Sequence, residues 1–253
     1  MFIINAVLTI PIGIFGVWIW PGTPDKPNTT ILTKQELELA KQRLIDAGHK
    51  QHSELTWVTI RRIFTDWKIY VLTIWDIFFW NASSYPYGGY LLWIKSLKRY
   101  SAAKINQLGS TAPAVGIFYV LFINFSADLL WGRTGAIFAA HIWNLTGLII
   151  LLVWDVPESA KWFAFNTYYA AVGMSSTLYG WSNDILKHDV DARAFTLIFM
   201  NSVAQSTTAW TPLLVFKTVE GPRFRKGHAF AAANAVALIL FTPVVRYLHN
   251  RQE

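Results

Sequence analysis

The chain has no cysteine and little charge. The first lack excludes disulfides, thiolate catalysis and Cys-ligated metals, and leaves the redox compartment open. Only 15% of its 253 residues are charged, against about 25% in soluble domains. The signatures of soluble catalysis are also missing: there is no G-x-S-x-G, phosphate loop, H-E-x-x-H or G-x-G-x-x-G. His188 with Asp189 and Asp191 has no second histidine nearby and borders helix ends, so it is not read as a metal site. Neither an enzyme nor a cofactor or metal is expected. What fills the chain instead is apolar and aromatic: 53% hydrophobic residues, 16% aromatics and 13 Trp.

Apolar runs long enough to cross a hydrocarbon core of about 30 Å recur along the sequence. They fall at 2–20, 69–94, 111–131, 135–154, 161–181, 195–216 and 228–248. The fold class is therefore an all-α, multi-pass membrane protein. Trp67, Trp93, Trp131, Trp154, Trp162 and Trp181 stand near the ends of these runs, as interfacial aromatics do. The first run lacks the basic leader and cleavage site of a signal peptide and reads as a retained span. The spacing is one plus six, with 1–20 as the first helix, 21–68 a polar loop, 69–248 a six-helix bundle and 249–253 a tail. In the loop, Thr33 with Glu36 fits a capping box, and 57–67 reads as an amphipathic interfacial helix. The net charge of +7 is spread over the loops, without the compact basic face of a nucleic-acid binder. The lipid bilayer, with its anionic headgroups, is the expected partner and nucleic acid is not. Eight Lys and Arg in the long loop place it on the cytoplasmic side, with 13 of the 22 basic residues. After that loop the count reverses, five against nine.

The most charged connection is 181–194, WSNDILKHDVDARA, between two apolar runs. It resembles the pattern W-x-N-[ED]-x-x-[RK]-x-D-x-[DE]-x-R-A of the fungal allantoate permease family of anion:cation symporters, within the major facilitator superfamily. Trp181, Asn183, Asp184, Lys187, Asp189, Asp191, Arg193 and Ala194 supply it. Met200 and Asn201, Trp210, and Pro222, Phe224 and Gly227 continue the likeness, while His228 stands where an aromatic is expected. Pro24 to Pro27, Leu32, Thr33 and Glu36 resemble the loop after the sixth helix of pantothenate and vitamin transporters. Asp128 and Arg133 match the acid and last base of D-R-x-G-R-K, whereas Leu129, Trp131 and Gly132 depart from it.

The resemblance covers essentially the whole chain. It implies the C-terminal six-helix half of a major facilitator fold plus the preceding helix, in the plasma membrane. It implies proton-coupled symport of a small organic anion such as a vitamin, ureide or sulfur compound, with a separate N-terminal half as a partner. A non-transporting fragment or half-subunit is the alternative.

Polar groups at membrane depth are expensive and so mark function. Asn81, Ser84, Tyr85 and Tyr87, beside the helix-weakening Pro86, Gly88 and Gly89, are the candidate substrate wall. Asn166 with Tyr169, and Asn201 with Gln205, each share a helix face and extend the candidate pathway. The same residues also fit helix–helix hydrogen bonding. Asp76 and His141 are the candidate proton-coupling groups. Asp128, Arg133, Trp181, Asn183, Asp184, Asp189, Asp191 and Arg193 are the candidate cytoplasmic gate, where contacts that differ between two states would make a latch. Solvated charged turns are the alternative.

Overall fold

Several of the helices begin at polar caps, among them those after Thr33, Thr56, Ser101 and Asp189. The computed structural model describes residues 2–23, 26–28, 32–46, 56–83 and 87–252. These fall into two units, Met1–Ser53 and Glu54–Glu253.

In the first unit, α1 (Phe2–Ile19) is followed by a two-residue antiparallel pair, β1 (Gly22–Thr23) and β2 (Lys26–Pro27), and then by α2 (Lys34–Asp46). The orphan carbonyl of Trp20 after α1 accepts from Asn28 Nδ2 at 3.0 Å. At α2 the capping box is reciprocal. The Glu36 carboxylate accepts from the Thr33 N–H at 2.9 Å, and Thr33 Oγ1 accepts from the Glu36 N–H at 3.3 Å.

The second unit is helical among its described residues. In order it comprises α3 (Trp57–Thr65), α4 (Trp67–Ser83), α5 (Tyr87–Ser96), α6 (Ala102–Gly109) and α7 (Thr111–Ser126). A single π turn, Ala127–Trp131, joins α7 to α8 (Gly132–Val153). Then come α9 (Glu158–Thr167), α10 (Tyr169–Val172), α11 (Ser175–Ile185), α12 (Val190–Val215) and α13 (Arg225–Asn250).

The expected span at 69–94 comprises α4 and α5, with 84–86 outside the described residues. Another expected span is interrupted. The run at 161–181 is three helices, broken at Tyr168 and at Gly173–Met174. No proline marks that break. Asn124 Nδ2 instead takes the Gly173 carbonyl at 2.9 Å, which compensates the backbone where the helix ladder is interrupted. The charged connection at 181–194 is also mostly helix: it ends α11 and starts α12, whose N-cap Asp189 accepts from the Ala192 N–H at 3.0 Å.

α4 is the centre of the unit, packed against α12 and α13, while α13 also packs on α8 and α8 on α9. Trp75, Phe79, Met174, Leu178, Met200 and Leu238 form one buried cluster around it. Tyr90, Trp93, Leu148, Phe165 and Ala235 form a second, in which the Trp93 and Phe165 rings stack at 5.0 Å. Lipid is as apolar as leucine, so helix association in a bilayer relies on close packing and interhelical hydrogen bonds. Both are present. A Cβ at Gly116 would stand 2.7 Å from Tyr169 Cβ, so glycine lets α7 and α10 touch. Among the described residues, Ala102–Val153 and Arg225–Asn250 are helical runs long and apolar enough to cross a membrane by length and composition. Ile117, Phe118, Phe125, Leu213 and Leu240 are exposed on the perimeter.

Candidate functional site

Polar side chains inside the bundle gather where α4 meets α11 and α12. Asp76 on α4 is fully buried. Its Oδ2 lies 2.9 Å from the Tyr179 hydroxyl of α11, and its Oδ1 has no hydrogen-bond partner among the described residues. The same hydroxyl is 3.0 Å from Asn201 Oδ1 on α12 and accepts from Trp80 Nε1 at 3.0 Å. About one turn along α4, Asn81 bridges to α12. Its Nδ2 donates to Thr207 Oγ1 at 2.7 Å, and its Oδ1 accepts from Thr211 Oγ1 at 3.0 Å. Asn201 and Gln205 lie on the exposed side of α12, where Gln205 Oε1 accepts from Thr208 at 3.3 Å. Three candidates separated in sequence, Asp76, Asn81 and Asn201, thus share one interface, with Gln205 beside it. The interface depends on Tyr179, which the sequence reasoning did not single out. A signal existed: Tyr179 stands three residues after Ser176 and four before Asn183, on one polar helical face.

Asn166 and Tyr169 belong to a different cluster. Asn166 Oδ1 accepts from Thr111 Oγ1 at 2.6 Å, and its Nδ2 donates to Tyr90 Oη at 3.2 Å and to the Trp162 carbonyl at 2.9 Å. These bonds tie α5, α7 and α9 together. Tyr169 begins α10, past the break at Tyr168, and packs over Gly116. Ser84, Tyr85 and the side chain of Tyr87 lie outside the described residues.

His141 on α8 is fully buried, its ring edge against Phe79 at 5.6 Å, and neither ring nitrogen has a hydrogen-bond partner among the described residues. One turn on, Asn144 Nδ2 donates to the Ala82 carbonyl at 3.0 Å. The residue whose N–H would serve that carbonyl in a continuous helix is Pro86, which has none. Asn144 supplies the missing donor.

The charged residues gather at the other end of α11 and the first turns of α8 and α12. Arg133 Nη1 pairs with Asp184 Oδ2, tying the start of α8 to the end of α11. Asp189 Oδ2 pairs with Arg62 of α3 at 2.8 Å while its Oδ1 caps α12. Asp128, within the π turn, is exposed, and Arg133 pairs with Asp184 rather than with it. Arg193 makes no ion pair among the described residues, and Asn183 is exposed. Trp181 is buried and meets Trp75 edge-on at 5.4 Å. A cavity of about 450 Å³ opens here, lined by Trp131, Arg133, Trp181, Arg246 and Asn250 among others.

At the opposite end of the bundle, Glu158 accepts from Trp162 Nε1 at 2.9 Å and from Arg99. The indole N–H and then the guanidinium hold its carboxyl below the ordinary glutamate range, and the carboxylate raises Arg99 in turn.

Among known proteins, the chain is 34% identical to the vitamin H transporter of Saccharomyces cerevisiae, over the whole of this chain and 44% of that protein. It is 29% identical to the pantothenate transporter liz1 of Schizosaccharomyces pombe, over the whole chain and 49% of that protein. It is 28% identical to the MFS transporter PfmaC of Pestalotiopsis fici, over 95% of the chain and 46% of that protein. No protein-family model and no solved structure matches. The relatives are named as transporters and not as enzymes. The chain is homologous to fungal transporters of the major-facilitator type and spans about half the length of the curated relatives it matches.

Proposed function

We propose that the chain is the second half of a proton-coupled symporter for a small organic anion, of the allantoate permease kind, with seven spans in the plasma membrane. The single observation that supports this best is the polar interface of α4, α11 and α12, where a buried carboxyl, two amides and three hydroxyls converge in an otherwise apolar bundle. Buried polar groups that hydrogen-bond across helices at membrane depth suit a solute pathway. Asn81, Asn201 and Gln205 form its wall, extended by Ser84, Tyr85 and Tyr87 and, further along, by Asn166 and Tyr169. Asp76 and His141 carry the proton. The Arg133–Asp184 and Arg62–Asp189 pairs belong to a cytoplasmic gate, with Asp128, Asn183, Asp191, Arg193 and Trp181 around them.

Major facilitator sites lie between two six-helix halves. The activity is therefore assigned to this half joined to an equivalent of the other, in the same polypeptide or a separate one. The names of the relatives give the first solutes to try, vitamin H and pantothenate.

The test is uptake of labelled vitamin H, pantothenate, ureides and sulfur anions in a yeast lacking its own carriers, with the first half supplied. Uptake of one of them is expected to rise with the proton gradient and to fall in Asn81→Ala. Uptake unchanged by both Asn81→Ala and Arg193→Ala would overturn the residue assignments. No uptake of any of them would overturn the transport reading.

A further inference from the structure

The Tyr179 hydroxyl is surrounded by more partners than one proton can serve. A phenol has one O–H to donate and accepts through its oxygen. Trp80 Nε1 can only donate, so one acceptor position is taken, at 3.0 Å. On the other sides stand Asp76 Oδ2 at 2.9 Å and Asn201 Oδ1 at 3.0 Å, both drawn as acceptors. The single O–H can satisfy one of them. The other bond forms only if that partner becomes the donor, and both partners can: a carboxyl by taking a proton, an amide by turning over.

Two complete arrangements follow. With Asp76 ionised, Tyr179 donates to Asp76 Oδ2, and Asn201 turns so that its Nδ2 donates to the phenol. With Asp76 protonated, its O–H donates to the phenol oxygen, and the phenol donates to Asn201 Oδ1. Each arrangement leaves the opposite face of the Asn201 amide free, and Asn201 is exposed on α12. We propose that Tyr179 relays the protonation of Asp76 to Asn201, so that the amide presents its carbonyl to the pathway when Asp76 is charged and its NH2 when Asp76 is neutral. An NH2 group is a donor and binds an anionic oxygen, whereas a carbonyl repels one. Proton uptake at Asp76 therefore creates the anion-binding form of the wall, the sign that symport of a proton with an anion requires.

The surroundings of Asp76 favour this simple linkage. Among the described residues Tyr179 is its only bonded ionisable neighbour. On the helices packed around α4, His141 meets Phe79, His228 and His249 of α13 meet the Phe216 and Trp181 rings, and Arg62 of α3 pairs with Asp189. Asp191 and Arg193 stand in the first turn of α12, about two turns before Asn201. A buried carboxylate without a cation is costly, and with no cation bonded to Asp76 a proton is what can neutralise it.

The relay rests on the transport reading only for its consequence, so it is tested first without transport. Infrared difference spectra between high and low pH are recorded on the protein in lipid nanodiscs. In the wild type, a protonated-carboxyl band and a side-chain amide change are expected at the same midpoint. Asp76→Asn loses both, Asn201→Leu loses the amide change alone, and Tyr179→Phe keeps the carboxyl band but loses the amide change. Melting of each variant near the wild-type temperature excludes misfolding as the cause. An amide change that survives in Tyr179→Phe, or a carboxyl that titrates with no amide response, overturns the relay. In the uptake assay with the first half supplied, Tyr179→Phe is expected to lose the stimulation of anion uptake by the proton gradient. Gradient-driven uptake that is unaltered in Tyr179→Phe overturns the relay and leaves transport standing. Spectra as expected with no uptake by the wild type would uphold the relay and overturn the transport reading.

Discussion

Asn144→Leu removes the side-chain donor that serves the Ala82 carbonyl. Ala82 and Asn144 are both buried, and their bond is 3.0 Å long. Leucine keeps the branched skeleton of asparagine without its donor, and the packing change that its larger volume brings is common to both backgrounds of the cycle below. Leaving a buried acceptor unmade costs about 1–3 kcal/mol in soluble proteins. Interhelical bonds in a membrane protein average about 0.6 kcal/mol and reach about 1.7. The Ala82 carbonyl belongs at the upper end of that range, because the ladder N–H that would serve it is missing from Pro86. A loss of roughly 1–2 kcal/mol is expected. The cause is isolated by a double-mutant cycle with Pro86→Ala, which restores an N–H four residues after Ala82. In that background Asn144→Leu should cost less than in the wild type by more than about 0.5 kcal/mol, a coupling above the limit of additivity. Reversible unfolding of the purified protein in mixed micelles, followed by circular dichroism, measures all four corners. Additive costs would refute the argument that Asn144 replaces the donor that proline removed.

Two further perturbations separate packing from charge. Gly116→Ala places a methyl 2.7 Å from Tyr169 Cβ, and overpacking of this kind typically costs about 1–3 kcal/mol. The same micelle assay checks it, and a neutral result would mean that α7 and α10 do not meet there. Glu158 is held below its ordinary value of about 4.3, so its contribution is present above that value and fades as pH falls through the folded one. Glu158→Gln should flatten the acid limb of the melting-temperature profile, and an unchanged limb would count against the Arg99 and Trp162 contacts.

Elements were legible where composition or capping carries them. Apolar runs mark the long helices, and Thr33 with Glu36 marks the start of α2. The breaks at Tyr168 and Gly173–Met174 were not legible, since neither carries a proline and the second takes a bond from Asn124 of another helix. The charged connection misled in a different way. A run of ionisable residues suggests a loop, yet Asp189 is an N-cap and Asp191 sits in the first helical turn, where a negative charge suits the helix dipole. Within the candidate site, residue type found Asp76, Asn81 and Asn201 because amides and carboxyls are scarce in apolar runs. It did not reveal their company. Tyr179 looked like one aromatic among many, and its partners lie 103 and 22 residues away in sequence.

Gly132, where the π turn passes into α8, has φ 64° and ψ 169°. That region is essentially restricted to glycine, and even asparagine, which tolerates the left-handed helical region, does not adopt it readily. A Cβ there would nevertheless meet nothing within 4 Å. The constraint at this position is thus torsional and owes nothing to neighbours. Where the chain turns from α7 into α8, one backbone angle carries a requirement that no enlargement of the surrounding space would relax.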